Sequence, residues 1–193
     1  MVLCSPLSAQ HHKLGGTIGG VLSKPKNYQL FYGYHIGIKN EFTFCKKDNH
    51  IYLSPNLHFI KKGWEDDIYD FYSEKHKWKC KLYYIEIPLL IGYKHQIGNK
   101  SIFGEIGPHF SFGLFGNSKL NYDNGTFNSN VFSSDKYKRF DTGFYINLGL
   151  DLKKNQLQIG YSHSMQKPTK KEWGAINPQN RSIVISFIHY IIT

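Results

Sequence analysis

Two carboxylates, Glu86 and Glu105, sit in neighbouring apolar runs, YYIEIPLLIGY and SIFGEIGPHFSFGLF. Such a pair could act as general acid and base on a glycosidic bond. A plainer role is that of interior charges neutralised by Lys39, Lys94 or another basic group, and the surroundings favour it. His35, His58 and His109 also fall on the polar side of their runs and could meet in a closed structure, but their spacing matches no metal site. They read as hydrogen-bonded interior histidines. His163 with Ser162 or Ser164 has the makings of a hydrolase pair, yet no acid partner stands at a recognisable spacing. Asp66, Asp67, Asp70 and Glu74 would attract a divalent cation without supplying the ligand order of a calcium loop. Cys4, Cys45 and Cys80 form no CxxC pair, and an odd count does not suit a disulfide framework. Cys45 and Cys80 are expected at opposite ends of the fold, not bonded to each other. No catalytic, cofactor or metal site is assigned, and the chain is read as a non-enzyme.

The elements that must position these groups have a period of two. Along residues 102–114 the even positions are Ile102, Gly104, Ile106, Pro108, Phe110, Phe112 and Leu114, against Phe103, Glu105, Gly107, His109, Ser111 and Gly113. Successive strand side chains point to opposite sides, so one face is apolar and the other small or polar. Ile85, Ile87, Leu89 and Ile91 alternate in the same way with Glu86, Pro88, Leu90 and Gly92. Equivalent patterns at residues 30–44, 51–59, 140–152 and 157–162, with a Gly-rich run at 14–22 and a less regular one at 183–192, bring the expected number to eight strands. Apolar residues do not recur at helical spacing. Pro88 and Pro108 each remove a ladder donor, so a bulge or kink is expected at one or both.

Alternation alone does not say which face is inside. Several runs exceed the roughly 5–6 residues of an ordinary strand and suit the roughly 9–11 of a tilted membrane-spanning one. Short connections at 46–49, 96–100 and 153–156 fall at one end, and longer ones at 62–79, 116–137 and 166–180 at the other. Tyr83 and Tyr93 close one apolar run, where amphipathic rings suit a bilayer boundary. The segment 117–136 reads as a polar loop or a hairpin extension. No window is apolar enough for a membrane helix. The net charge of +10 favours anionic partners, but the lysines are scattered without a basic stripe, which argues against nucleic acid. MVLCSPLSAQ has the character of the end of a secretory signal, or of a disordered N-terminus, and residues 1–12 are set apart from a barrel domain at 13–193.

The segment 83–116 resembles the small outer-membrane β-barrel proteins of Bacteroidota, including the PorT-like barrels. The resemblance lies in Tyr84, Glu86, Ile87, Pro88, Leu89, Leu90 and Tyr93, then Gly107, Pro108 and Leu114. Segments 31–63 and 141–165 resemble the family's earlier and penultimate hairpins, while the C-terminal IIT replaces the aromatic residue usual there. The fold class expected is all-β, an eight-stranded antiparallel up-and-down transmembrane β-barrel with short periplasmic turns and longer extracellular loops. His35, Lys39, Glu41, His58, Glu86, Lys94, Glu105, His109 and Asp151 would form an interior polar network. Ile36, Leu57, Ile85, Leu89, Phe110, Phe112, Ile146, Leu148 and Ile159 would face lipid. Trp64, Tyr69, Phe71, Tyr72, Trp78 and Trp173 would mark recognition loops, or in part a lid on the barrel mouth. The expected role is structural or surface-binding in the bacterial outer membrane. The alternatives are an enzyme acting on lipid or glycan, a component assisting secretion, and a soluble carrier barrel. The resemblance implies outer-membrane lipid and lipopolysaccharide, the barrel-assembly machinery, and a surface or secretion partner of unknown identity; no cofactor is implied.

Overall fold

The computed structural model describes residues 11–25, 28–44, 49–69, 75–122, 125–132, 137–166 and 179–192. They form nine strands: β1 (His11–Ser23), β2 (Phe31–Thr43), β3 (Asn49–Tyr69), β4 (Lys75–Ile97), β5 (Lys100–Tyr122), β6 (Gly125–Asn130), β7 (Phe140–Leu152), β8 (Asn155–Ser164) and β9 (Arg181–Ile192). The sheet order is β4-β3-β2-β1-β9-β8-β7-β5-β6, and β4 also pairs with β5. All pairings are antiparallel; among the described residues β6 has one hydrogen-bonded neighbour, β5 has three, and every other strand has two. The architecture is an antiparallel, transmembrane-like β-barrel. No helix of the described residues is long and apolar enough to cross a membrane.

The ninth strand departs from the expected eight. It is β6, which pairs only with residues 117–122 of β5, so this part of segment 117–136 is a hairpin extension. A second departure is the segment 62–79, expected as a loop. Here β3 continues to Tyr69 and β4 already starts at Lys75, with Lys61↔Tyr83 through Tyr69↔Lys75 in register. The alternation was invisible there because Glu65, Asp67, Lys77 and Lys79 replace the apolar residues of the outer face. β1 begins at His11, and His12 stacks on Phe42 at 4.5 Å.

The barrel is polar inside and apolar outside. On β4, Ile85, Ile87, Leu89 and Ile91 are exposed while Glu86 and Lys94 are buried. Tyr83 and Tyr93 bracket the exposed run. Ten residues at a rise of roughly 3.3 Å, tilted by about 40°, cover about 25 Å, the height of an apolar membrane band. A row of rings marks the upper limit of this band: Phe59, Tyr83 and Phe115, with centroids 6.0 Å apart for the first pair and 4.5 Å for the second.

Neither Pro88 nor Pro108 makes a bulge. The β3–β4 and β4–β5 ladders each skip two positions beside these prolines and resume in the same phase. Losing a donor interrupts a ladder but adds no residue, so the register survives. At Pro55 side chains bridge the gap: the Asn40 N–H donates to Asn56 Oδ1 at 3.1 Å and Asn40 Nδ2 donates to the Pro55 carbonyl at 3.1 Å. The register shifts instead at Tyr83/Tyr84, where Leu114 is the extra residue between Gly113 and Phe115. It inverts the phase of β5, so Phe112 below it and Phe115 above it both stay outside. A second shift lies at Leu14/Gly15, where β1 meets β9.

Inside the wall, glycines make room for large rings. A Cβ at Gly92 would run into the Tyr52 ring. Gly92→Val is expected to displace Tyr52 and destabilise the barrel by about 1–3 kcal/mol, measured by urea unfolding from lipid vesicles; an unchanged midpoint would show that the ring has slack.

Candidate functional site

The inward residues of alternate strand positions meet in three levels of buried charge. Nearest the short turns, the Lys94 ammonium lies between Glu41 at 2.8 Å and Asp151 at 2.5 Å. Gln156 Nε2 and the Tyr190 hydroxyl donate to Glu41, and Lys13 reaches Asp151 at 3.2 Å. In the middle, Lys39 pairs with Glu105 at 2.6 Å and also donates to Gln158. The Tyr52 hydroxyl and Asn147 Nδ2 donate to the same carboxylate, each at 2.9 Å. At the upper level Lys62 holds Glu86 at 2.5 Å, Ser111 donates to Glu86 at 2.8 Å, and His109 Nδ1 is 3.4 Å away. His35 and His58 lie together there, ring centroids 5.1 Å apart, and His35 Nε2 contacts Ser186 Oγ at 2.9 Å. An ionised group taken out of water is tolerable only with such partners.

Each residue proposed for the interior from the sequence is buried: His35, Lys39, Glu41, His58, Glu86, Lys94, Glu105, His109 and Asp151. Each one assigned to the outer face is exposed, from 38% at Ile85 to 62% at Leu148. Lys62, the partner of Glu86, was missed because it was assigned to a loop, although it keeps the phase of His58 and Ile60. Tyr52, Asn147 and Gln158 fall on the polar face by alternation, but they, Gln156 and Tyr190 were not assigned to the network, because an uncharged donor does not show which carboxylate it meets.

The catalytic alternatives lose their geometry. Glu86 stands beside Ser111 and Glu105 beside Gly92, six residues apart along β4, or about 20 Å. Glycosidase carboxylates need roughly 5–9.5 Å. Ser164 is buried and donates to Asp141, while His163 lies on the other face of β8 beside Tyr161 and Phe144. Among the described residues no group of three or more His, Cys, Asp or Glu is placed to hold a metal. Asp70 and Glu74 lie outside the described residues.

Above the charges the mouth is filled by rings. Tyr28, Trp64, Cys80, Leu82, Tyr84, Val131 and Phe132 form one buried cluster, against which Trp78 and Tyr137 pack. Trp64 is fully buried in β3 and touches Tyr28, Trp78 and Tyr137. Its ring is enclosed by this cluster and not exposed. Trp78 donates to Ser118 at 2.6 Å, and Tyr69 ends β3. Phe71, Tyr72 and Trp173 lie outside the described residues, as do Cys4, Cys45 and residues 1–10. Cys80 is a free, buried thiol.

Removing one member of a buried pair leaves the other uncompensated. Lys62→Met is expected to cost about 3–5 kcal/mol, and adding Glu86→Gln should return part of it, read by urea unfolding from vesicles. In the lid, burial pushes Tyr28 up to about 12, with Asp66 and Cys80 adding to it, and burial alone pushes the Cys80 thiol upward. Their neutral forms are thus favoured by the folded lid, so lid stability is full below the ordinary values of 10.0 and 9.0 and falls as pH rises beyond them. With Cys4 and Cys45 replaced by serine, Cys80 should resist maleimide at about pH 8 and react increasingly from about pH 10 to 12, relative to the urea-unfolded chain. Fast labelling at about pH 8 would show an open mouth.

A family model described as "Outer membrane protein beta-barrel domain" matches residues 9–167. Among solved structures, the attachment invasion locus protein Ail of Yersinia pestis is 12% identical, with 94% of this chain and 100% of that chain covered and a TM-score of 0.43. Neisserial surface protein A is 10% identical, with 95% and 99% covered and a TM-score of 0.49. OprG from Pseudomonas aeruginosa is 12% identical, with 95% and 97% covered and a TM-score of 0.42. No curated protein matches. With most of its length matched by the family model, the chain belongs to the outer membrane protein beta-barrel domain family and is a protein of the bacterial outer membrane.

Proposed function

We propose that eight of the nine strands, all but β6, close into an up-and-down transmembrane barrel whose short turns face the periplasm and whose longer connections face outward. The observation that carries this reading is the inverted polarity of the wall: Lys39, Lys62, Lys94, Glu41, Glu86 and Glu105 are buried, while Ile85, Leu89, Phe110 and Phe112 are exposed between two aromatic levels. A soluble carrier barrel would have the opposite arrangement. Ion pairs and the aromatic lid occupy the interior, which favours a plugged barrel over an open pore.

The role that fits is non-enzymatic, structural or surface-binding. The outer parts of β3, β4 and β5, together with β6, rise above the aromatic row and offer the surface. Tyr84, Glu86, Ile87, Pro88, Leu89 and Leu90, with Gly107 and Pro108, support the narrower kinship to the PorT-like barrels of Bacteroidota. Partners in this setting are outer-membrane lipid, lipopolysaccharide and the assembly machinery, with a surface partner at the outer end.

Spin labels at Ile85, Leu89, Phe110 and Phe112, on a chain lacking the three cysteines, should meet oxygen and not a water-soluble quencher in bilayers. The refolded protein should also leave planar bilayers without steady conductance. Labels quenched from water would reverse the orientation of the wall; a stable ohmic current would argue for a pore.

A further inference from the structure

Just above the row of Phe59, Tyr83 and Phe115, the outer face of β3, β4 and β5 gathers lysines. The register sets Lys61 beside Tyr83 and Phe115 at the level of the rings. One step out it aligns Gly63, Lys81 and Asn117, and one step further Glu65, Lys79 and Lys119. The Lys61 ammonium lies among aromatic rings, 5.6 Å from the centroid of Phe31, 5.5 Å from Tyr34 and 5.9 Å from Tyr83. Burial and the repulsion of Lys81 and Lys79 disfavour its charge. Lys79 sits 5.5 Å over Phe31 and pairs with Glu65. Among the described residues no ion pair joins Lys61, Lys81 or Lys119 to a carboxylate. Like charges on adjacent strands oppose folding, so the arrangement calls for an anion from outside.

We propose that Lys61 and Lys81, flanked by Lys79, Lys119 and Asn117, bind the phosphate of an anionic membrane lipid on the outer wall. The site rests on the barrel reading given above. Its depth selects the ligand: aromatic rings mark the boundary of the hydrocarbon, Lys61 stands level with them, and Lys81 and Lys79 stand two and four residues beyond, at the height of headgroup phosphates. Below the rings, Ile85 and Phe112 offer an apolar wall for acyl chains. A phosphate monoester, with up to two negative charges, would be shared between Lys61 and Lys81, and Asn117 could donate to it. A free phosphate ion would gain the charges but not the apolar wall, so the lipid is the occupant.

The test uses the full chain in phosphatidylcholine bilayers with a small fraction of spin-labelled phosphatidic acid or spin-labelled phosphatidylcholine of the same chain length. Co-flotation with pure phosphatidylcholine vesicles is measured first. The wild-type chain should restrict phosphatidic acid about fivefold or more over phosphatidylcholine. Lys61→Gln with Lys81→Gln should bring the two lipids to near parity, while Lys100→Gln with Lys153→Gln and Lys154→Gln, at the short turns, should leave the preference intact. Flotation with a preference that survives the Lys61 and Lys81 substitutions sinks the site alone. Loss of the preference on adding millimolar inorganic phosphate would assign the site to the free ion instead. Failure to float sinks the barrel reading and the site with it.

Discussion

A peptide N–H or C=O left without a partner in hydrocarbon costs several kcal/mol, and this penalty governs the wall. Only strands with two neighbours each satisfy it, and all strands but β6 have them. The same demand explains how the prolines are accommodated, with Asn40 and Asn56 supplying side-chain hydrogen bonds where Pro55 lacks an N–H. It also explains turns of only two residues, which keep the ladders going to the edge. Gly98 takes φ 60° in the β4–β5 turn, and Lys153 takes φ 69° in the β7–β8 turn, a conformation unusual for a residue with a side chain.

Turning the apolar face outward hands the interior to the polar face, and that creates a second problem. Charges within the wall have no bulk water, so each must be met by protein. The solution is a stack of small clusters in which one carboxylate serves several donors: Glu105 takes Lys39, Tyr52 and Asn147, and Glu41 takes Lys94, Gln156 and Tyr190. Volume is balanced by the same residues. Gly92 faces Tyr52, Gly149 faces Phe103 and Gly113 faces Phe132, a small residue for each large ring.

Beyond the row of Phe59, Tyr83 and Phe115 lipid no longer dictates the outer face. Strand pairing continues, yet the outward positions become Lys79, Lys81, Glu65 and Asn117, and the inward ones become the rings of the lid. The backbone is unchanged across this boundary, while the side-chain code is rewritten. Lys61 sits on the boundary itself, its ammonium among the rings of Phe31, Tyr34 and Tyr83.

The amino-acid order alone determined the all-β class, the phase of each strand within the apolar band and the inward position of residues such as Glu86, Glu105 and His109, because alternation is local and lipid enforces it on every outward residue. It could not place Lys62 against Glu86, gather His35 with His58 or join Tyr190 to Glu41, since the first two pairs meet only when β3 is paired with β4 and with β2, and the third only when β1 brings β9 beside β2. Nor could it follow β3 and β4 past the membrane boundary, where polar residues occupy the outer face and the contrast between faces fades. The phase of β5 was legible as far as Phe112 and failed at Leu114, because one extra residue exchanges the two faces and only the partner strand reveals it.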